Sequence, residues 1–219
     1  MLDTCLNNKR IGVLSNPRSG TSLLVHLLLT GFDLTGTLPL FPNLDTDDIY
    51  EYRATPDWIR GCGDKNYYLI FLIRDPRNVV VSKHPANNEY LVDFKEWHAN
   101  YNKCTSLCGV VNLLCIRFEE LLSSPDEVQK KIAGFLMMGT RYKFSECYLY
   151  DTFKPFTRKC DMNFEMGGVR KIGTSSTKKW NLIENRDRVL SQVNCNDKFV
   201  TALIDLGYEK DTGWVSDIQ

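Results

Sequence analysis

The chain has 219 residues, 43% of them hydrophobic, and 27 basic side chains balance 27 acidic ones. That is enough apolar chain for one α/β domain with its own core, and residues 1–219 are read as one such domain. The balanced charge excludes a global basic field, and with it nucleic acid or an anionic membrane surface as the expected partner, although a local basic cleft fits inside a neutral total.

No apolar run approaches the length of a membrane span. The opening residues MLDTCLNNKR have no signal-peptide core, so the expected location is cytoplasmic. Of the eight cysteines only Cys104 and Cys108 stand close together, and no zinc-ligand spacing accompanies them. Free thiols and no metal are the expectation.

Arg10–Ser15 (RIGVLS) reads as a short buried strand. Asn16-Pro17-Arg18-Ser19-Gly20 is a turn, and Thr21–Thr30 an apolar helix that Gly31 is placed to end. Residues 32–66 are irregular, with Pro39, Pro42, Pro56 and an acidic patch at Asp45–Asp48. Tyr67–Ile73 (YYLIFLI) has the uncharged, aromatic and β-branched make-up of a strand covered on both faces. A helix is predicted over Asn78–Lys83 with Pro76 near its first turn, then an amphipathic helix over Val92–Ser106 and a third buried strand over Val110–Arg117. Ser124-Pro125-Asp126-Glu127 has the signature of a capped helix start, and that helix is expected to run to about Met138. Residues 139–185 read as loop-rich, and Asn196–Leu206 as a last helix stopped by Gly207. Strands alternating with helices point to a three-layer α/β fold with a mainly parallel central sheet.

Two segments carry chemistry. A helix start exposes backbone N–H groups and a positive dipole end, and a glycine turn leading into it lets those groups converge on an anion. Gly20 permits the close approach, Thr21 and Ser22 add hydroxyls, and Arg18 adds fixed charge. A triphosphate-binding loop would require Gly in place of Ser15 and Lys in place of Thr21, so that signature fits poorly. At the end of the second strand Arg74 falls at the sheet edge where ligands bind, and Ser82, about two turns into the next helix, is placed to face the same cleft. A guanidinium and a hydroxyl there suit a second phosphate.

Pro17-Arg18-Ser19-Gly20-Thr21-Ser22 resembles the 5′-phosphosulfate loop of the sulfotransferases that use 3′-phosphoadenosine 5′-phosphosulfate (PAPS), P-[KR]-[ST]-G-[ST]-[ST], at every position. Arg74, Asp75, Pro76, Asn78 and Ser82 match that family's 3′-phosphate motif, R-[DN]-P-x-[DN]-x-x-x-S. Arg117-Phe118-Glu119-Glu120-Leu121 is similar to its RYEDL segment, read here as core and capping. Ile204–Tyr208 is similar to its L-G-Y ending. Arg170-Lys171-Ile172-Gly173, ahead of Lys178-Lys179-Trp180, is similar to the basic R-K-G loop over the 3′-phosphate, with Ile172 inserted.

The resemblance implies a P-loop-like fold and transfer of a sulfuryl group from PAPS to a hydroxyl or amine of a small-molecule or carbohydrate acceptor, without a metal. It assigns the nucleotide to Arg18, Ser19, Gly20, Thr21, Ser22, Arg74, Ser82, Arg170 and Lys171. Catalysis falls to Arg18 and to a general base for which Glu51 leads, followed by Asp64 and His84. A nucleotide-binding protein of the same fold with little or no activity, and a small P-loop kinase, remain as alternatives.

Overall fold

The structure is a computed structural model, and it describes residues 10–32, 67–84, 87–150, 171–173 and 177–218. Among these, β1 (Arg10–Ser15), β2 (Tyr67–Ile73) and β3 (Asn112–Arg117) form a parallel sheet in the order β1-β2-β3. Val13 lies beside Ile70, and Phe71 beside Cys115. Alternate residues serve opposite faces of the sheet. Val13, Ile70, Leu72 and Ile116 join one core, and Leu14, Leu69 and Phe71 join another. Both faces are covered at β2, whose residues are apolar throughout rather than alternating; β3, expected to be buried, is so only at Ile116, with Asn112 and Cys115 exposed, because no described strand pairs with its other edge.

The first face is covered by α1 (Thr21–Gly31) and later by α5 (Pro125–Leu136), whose Leu24, Leu27, Leu28, Ile132 and Leu136 are buried in the first core. The second face receives α3 (Phe94–Thr105) through Tyr101 and Cys104, with Leu107 just beyond it. The molecule is thus an α/β fold whose parallel sheet is flanked by helices, as the sequence led one to expect. Asp93 starts α3 with a reciprocal cap: its carboxylate accepts from the Glu96 amide at 2.8 Å, and its own amide donates to Glu96 Oε2 at 3.5 Å.

Local differences have local causes. The helix after β2, α2, covers only Pro76–Val80, not Asn78–Lys83. Past Val81 the chain leaves the helical path to pair elsewhere: Lys83 bridges Tyr90, and the His84 amide donates to the Glu89 carbonyl at 2.7 Å. β3 starts at Asn112 rather than Val110, and α4 (Phe118–Ser123) follows it directly. Pro125 does open α5, but Ser124 makes no side-chain cap. The nearby Asp126 carboxylate instead accepts from the amide and hydroxyl of Ser145, both at 2.9 Å. The stretch expected to be loop holds short 3-10 helices at Phe144–Leu149 and Lys179–Asn181. Beyond it, α6 (Ile183–Asn194), α7 (Lys198–Asp205) and a 3-10 turn at Gly213–Ile218 pack against α2 and α3 around Val79, Val80, Trp97, Phe199 and Trp214.

Candidate active site

The sheet register builds the site. Ser15 pairs with Leu72, and Ile73 with Arg117. Continuing the three parallel strands past these pairs brings the Asn16–Gly20 turn, Arg74 and Phe118 together at one sheet edge. The contacts agree: Arg74 Nη1 donates to the Arg18 carbonyl at 2.6 Å, and its guanidinium lies 4.6 Å from the centre of the Phe118 ring. The two motifs that the sequence separates by a strand and a helix are parts of one surface.

The first turn is held by backbone geometry. Arg18 has φ 66° and Gly20 has φ 93°, both in the left-handed region that favours glycine. An arginine there stores on the order of 1–3 kcal/mol of strain, which the Ser19 amide bond to the Asn16 carbonyl (3.2 Å) helps to hold. Asn16 is anchored in turn: it accepts from Asn100 Nδ2 at 3.1 Å and donates to the Trp97 carbonyl at 3.5 Å, tying the turn to α3. A Cβ on Gly20 would lie 2.2 Å from Phe118 Cε2, so only glycine lets the turn seat on that ring. The first bond of α1 runs from the Leu24 amide to the Gly20 carbonyl (3.1 Å), and the amides ahead of it lie outside the helix's own ladder. Ser19 is 1% exposed, and its hydroxyl has no hydrogen-bond partner among the described residues. A buried hydroxyl left so costs about 1–3 kcal/mol, which an anionic oxygen at the turn would offset. The Thr21 hydroxyl is engaged with that of Ser15. Arg18 and Ser22 are exposed.

The second segment is made of buried side chains. Arg74 is 6% exposed. Burial pulls its guanidinium below the usual arginine range, Glu119 and then Asp75 pull it back, and Arg18 adds repulsion. It remains a cation, since arginine does not deprotonate in proteins. Burial likewise pushes the Glu119 carboxyl up, against its bonds from the Asp75 amide and the Tyr208 hydroxyl, both at 3.1 Å. Asp75 caps α2 through the Arg77 amide at 2.8 Å and pairs with the Arg77 guanidinium at 2.7 Å. Arg77 also pairs with Glu209 and faces the rings of Trp180 and Trp214. The side chains of Asp75 and Arg77 are thus spent on each other, on the start of α2 and on Glu209. Ser82 does not lie two turns into a helix. It follows the single turn of α2, is buried, and donates from Oγ to the Asn78 carbonyl at 2.6 Å, a bond that an incoming anion would have to replace.

Of the other expected residues, Lys171 is exposed beside Ile172, which packs against the first core. His84 is half-buried. Arg170, Glu51 and Asp64 lie outside the described residues. Among the described residues no group of three or more His, Cys, Asp or Glu is placed to hold a metal ion, and no helix is long and apolar enough to cross a membrane. Sequence reasoning read Phe118 and Glu119 as core and capping; Phe118 does join the first core, and its contact with Arg74 was not foreseen. The available signal was register: they begin the helix directly after the strand that neighbours β2, and so meet Arg74.

No protein-family model matches the chain, and no curated protein matches it. Among solved structures it is similar to the sulfotransferase domain of the Synechococcus PCC 7002 olefin synthase, at 16% identity over 86% of this chain and 96% of that one, with a TM-score of 0.48. It is also similar to mouse sulfotransferase SULT7A1 complexed with PAP, at 13% identity over 88% of this chain and 87% of that one, with a TM-score of 0.44. Both scores lie below one half, and neither likeness identifies a substrate.

Proposed function

We propose that this protein is a PAPS-dependent sulfotransferase. The observation that supports the reading is the 2.6 Å bond from Arg74 to the carbonyl of Arg18, by which the two segments that resemble phosphate-binding motifs meet at one sheet edge. A nucleotide with a phosphosulfate at one end and a phosphate at the other calls for two such groups of donors.

In this reading the Arg18 guanidinium, the Ser19 hydroxyl and the amides of residues 20–22 surround the 5′-phosphosulfate, while Arg74 and Ser82 take the second phosphate together with Arg170 and Lys171. The sulfuryl group passes in line: the acceptor oxygen or nitrogen forms a bond to sulfur as the bond from sulfur to the phosphate oxygen breaks, with its electron pair left on that phosphate. The acceptor proton goes to a base, for which Glu51 is our assignment. Catalysis of this kind is mainly positioning and stabilisation of spreading negative charge, which fixed amides and an arginine supply. Small-molecule or carbohydrate hydroxyls are the expected acceptors.

The test is ligand stabilisation followed by turnover. Adenosine 3′,5′-bisphosphate at millimolar concentration raises the melting temperature, because a ligand that binds only the native state must stabilise it. Labelled sulfate then moves from PAPS to an acceptor in a broad screen. No thermal shift would sink the reading. A shift without transfer would leave a binding protein of the same fold, and a shift with ATP and magnesium alone would favour a kinase.

A further inference from the structure

Asn100 belongs to neither of the segments that carry chemistry, yet it touches the first of them. It stands in the middle of α3 and donates from Nδ2 to Asn16 Oδ1 at 3.1 Å, across 84 residues of chain. Asn16 is 3% exposed, and its own Nδ2 donates to the Trp97 carbonyl at 3.5 Å. Both ends of one buried amide are thus fixed by residues 97 and 100, neighbours on one side of the same helix. That helix is a stiff support. It starts with the reciprocal cap of Asp93 and Glu96, and the Trp97 ring stacks on Phe94 at 5.7 Å and on Tyr101 at 5.3 Å.

Asn16 in turn holds the most demanding part of the turn. Its backbone carbonyl accepts from the Ser19 amide at 3.2 Å and so closes the chain around Arg18. The Arg18 φ of 66° is one that a non-glycine residue keeps only where its surroundings impose it. Ser19 is 1% exposed, and its hydroxyl has no hydrogen-bond partner among the described residues. A donor fixed before its ligand arrives loses little on binding, whereas one that must first be ordered forfeits part of the affinity.

We propose that Asn100 is a positioning residue: through Asn16 it holds the Arg18–Ser19 turn ready for its ligand, and so governs affinity for the phosphosulfate end of the nucleotide and not for the other end. The inference rests on the sulfotransferase reading and adds to it a residue that neither motif contains. Asn100 reaches the turn only through the packing of α3 against β1.

Titration calorimetry with two half-ligands tests it. Adenosine 5′-phosphosulfate engages the first turn in this reading, and adenosine 3′-monophosphate the Arg74–Ser82 segment. In Asn100→Ala, affinity for the phosphosulfate falls about tenfold, the worth of one hydrogen bond, while affinity for the 3′-monophosphate changes by less than about twofold. Alanine suits a half-buried helix position, so this variant folds. A double-mutant cycle follows the route: once Asn16→Ala has removed the intermediate, adding Asn100→Ala lowers phosphosulfate affinity by less than about a further twofold. Equal losses for both half-ligands in Asn100→Ala, or no loss for either, would overturn the proposal. Full additivity in the cycle would overturn it too, since Asn100 would then act by another route. Because Asn16 is buried and its alanine variant can fail to fold, the single Asn100 variant decides the matter. Wild-type protein that binds neither half-ligand brings down the sulfotransferase reading and this inference with it. Wild-type binding of both, with an unaltered ratio in Asn100→Ala, overturns the inference alone.

Discussion

In the first turn Arg18 is exposed and its place is set by backbone geometry, with a left-handed φ of 66° and a neighbouring Gly20 at 93°. In the second pocket Arg74 is buried and its place is set by side chains: Phe118 under its plane, Glu119 and Asp75 nearby, and the Arg18 carbonyl accepting its proton. The difference teaches where each pocket is vulnerable. A cradle of amides does not depend on the side chain that projects from it, so Arg18 can be removed with little harm to the fold. A buried cation is part of the core's charge balance, and its loss is felt by every group that faces it.

The largest expected effect separates the two arginines. Arg74→Ala removes a buried guanidinium with its bond to the Arg18 carbonyl and its place over the Phe118 ring, and should cost about 2–3 kcal/mol of stability in urea melts. Arg18→Ala should stay within about 0.5 kcal/mol of wild type in the same melts. Its damage should appear in sulfuryl transfer, slowed by roughly 10²–10³-fold, the usual effect of losing one charge-stabilising donor. Equal loss of stability in the two variants would abolish the contrast.

Gly20→Ala comes next. The new methyl group would meet the Phe118 ring and would also have to adopt φ 93°. A loss of about 2–4 kcal/mol is expected. The pair Gly20→Ala and Phe118→Leu should be less destabilising than the sum of the two changes, since the smaller side chain relieves the clash. Strict additivity would mean that the ring does not set the turn. A smaller effect is expected at Ser82. Its Oγ bond to the Asn78 carbonyl lies within one short turn, so Ser82→Ala should cost about 1 kcal/mol or less in stability. Calorimetric affinity for adenosine 3′,5′-bisphosphate should fall about two- to tenfold, the worth of one hydrogen bond to the ligand. An unchanged affinity would show that the hydroxyl stays on Asn78.

The backbone-built half of the site was far more legible in the sequence than the side-chain-built half. RIGVLS, a glycine turn and TSLLVHLLLT announce strand, turn and helix by composition alone, and the structure has β1 and α1 at those residues. YYLIFLI likewise marks a doubly covered strand. The second pocket depends on contacts distant along the chain, such as Asp75 with Glu119 and Asn78 with Thr177, and no local pattern reports them. The valines of α2 suggested a longer helix, and the pairing of Lys83 with Tyr90 that draws the chain away has no local pattern. α6 escaped notice because only Val189 and Gln192 are buried on it, too few apolar positions to give a helical period. Gln192 serves instead as an acceptor for the Phe94 amide at 2.8 Å.

The smallest effect tests the comparison through pH. Backbone amides do not titrate, so the first turn has no pH dependence of its own, whereas the second pocket contains Glu119, whose carboxyl is pushed up by burial. An acid with a raised folded-state pKa contributes stability that is fully present below its unfolded value, about 4.3, and is lost as pH rises through the folded value. Glu119→Gln cannot titrate. It keeps an oxygen to accept one of the bonds from Asp75 and Tyr208, and gives up the other. Measured against wild type, the variant should therefore look worst near pH 4 and recover ground toward about pH 7.5, because over that range only the wild type must ionise a buried group. A stability difference that stays constant across the range would mean that the Glu119 carboxyl ionises as easily in the folded protein as in the unfolded chain. The second pocket would then be as indifferent to protons as the first.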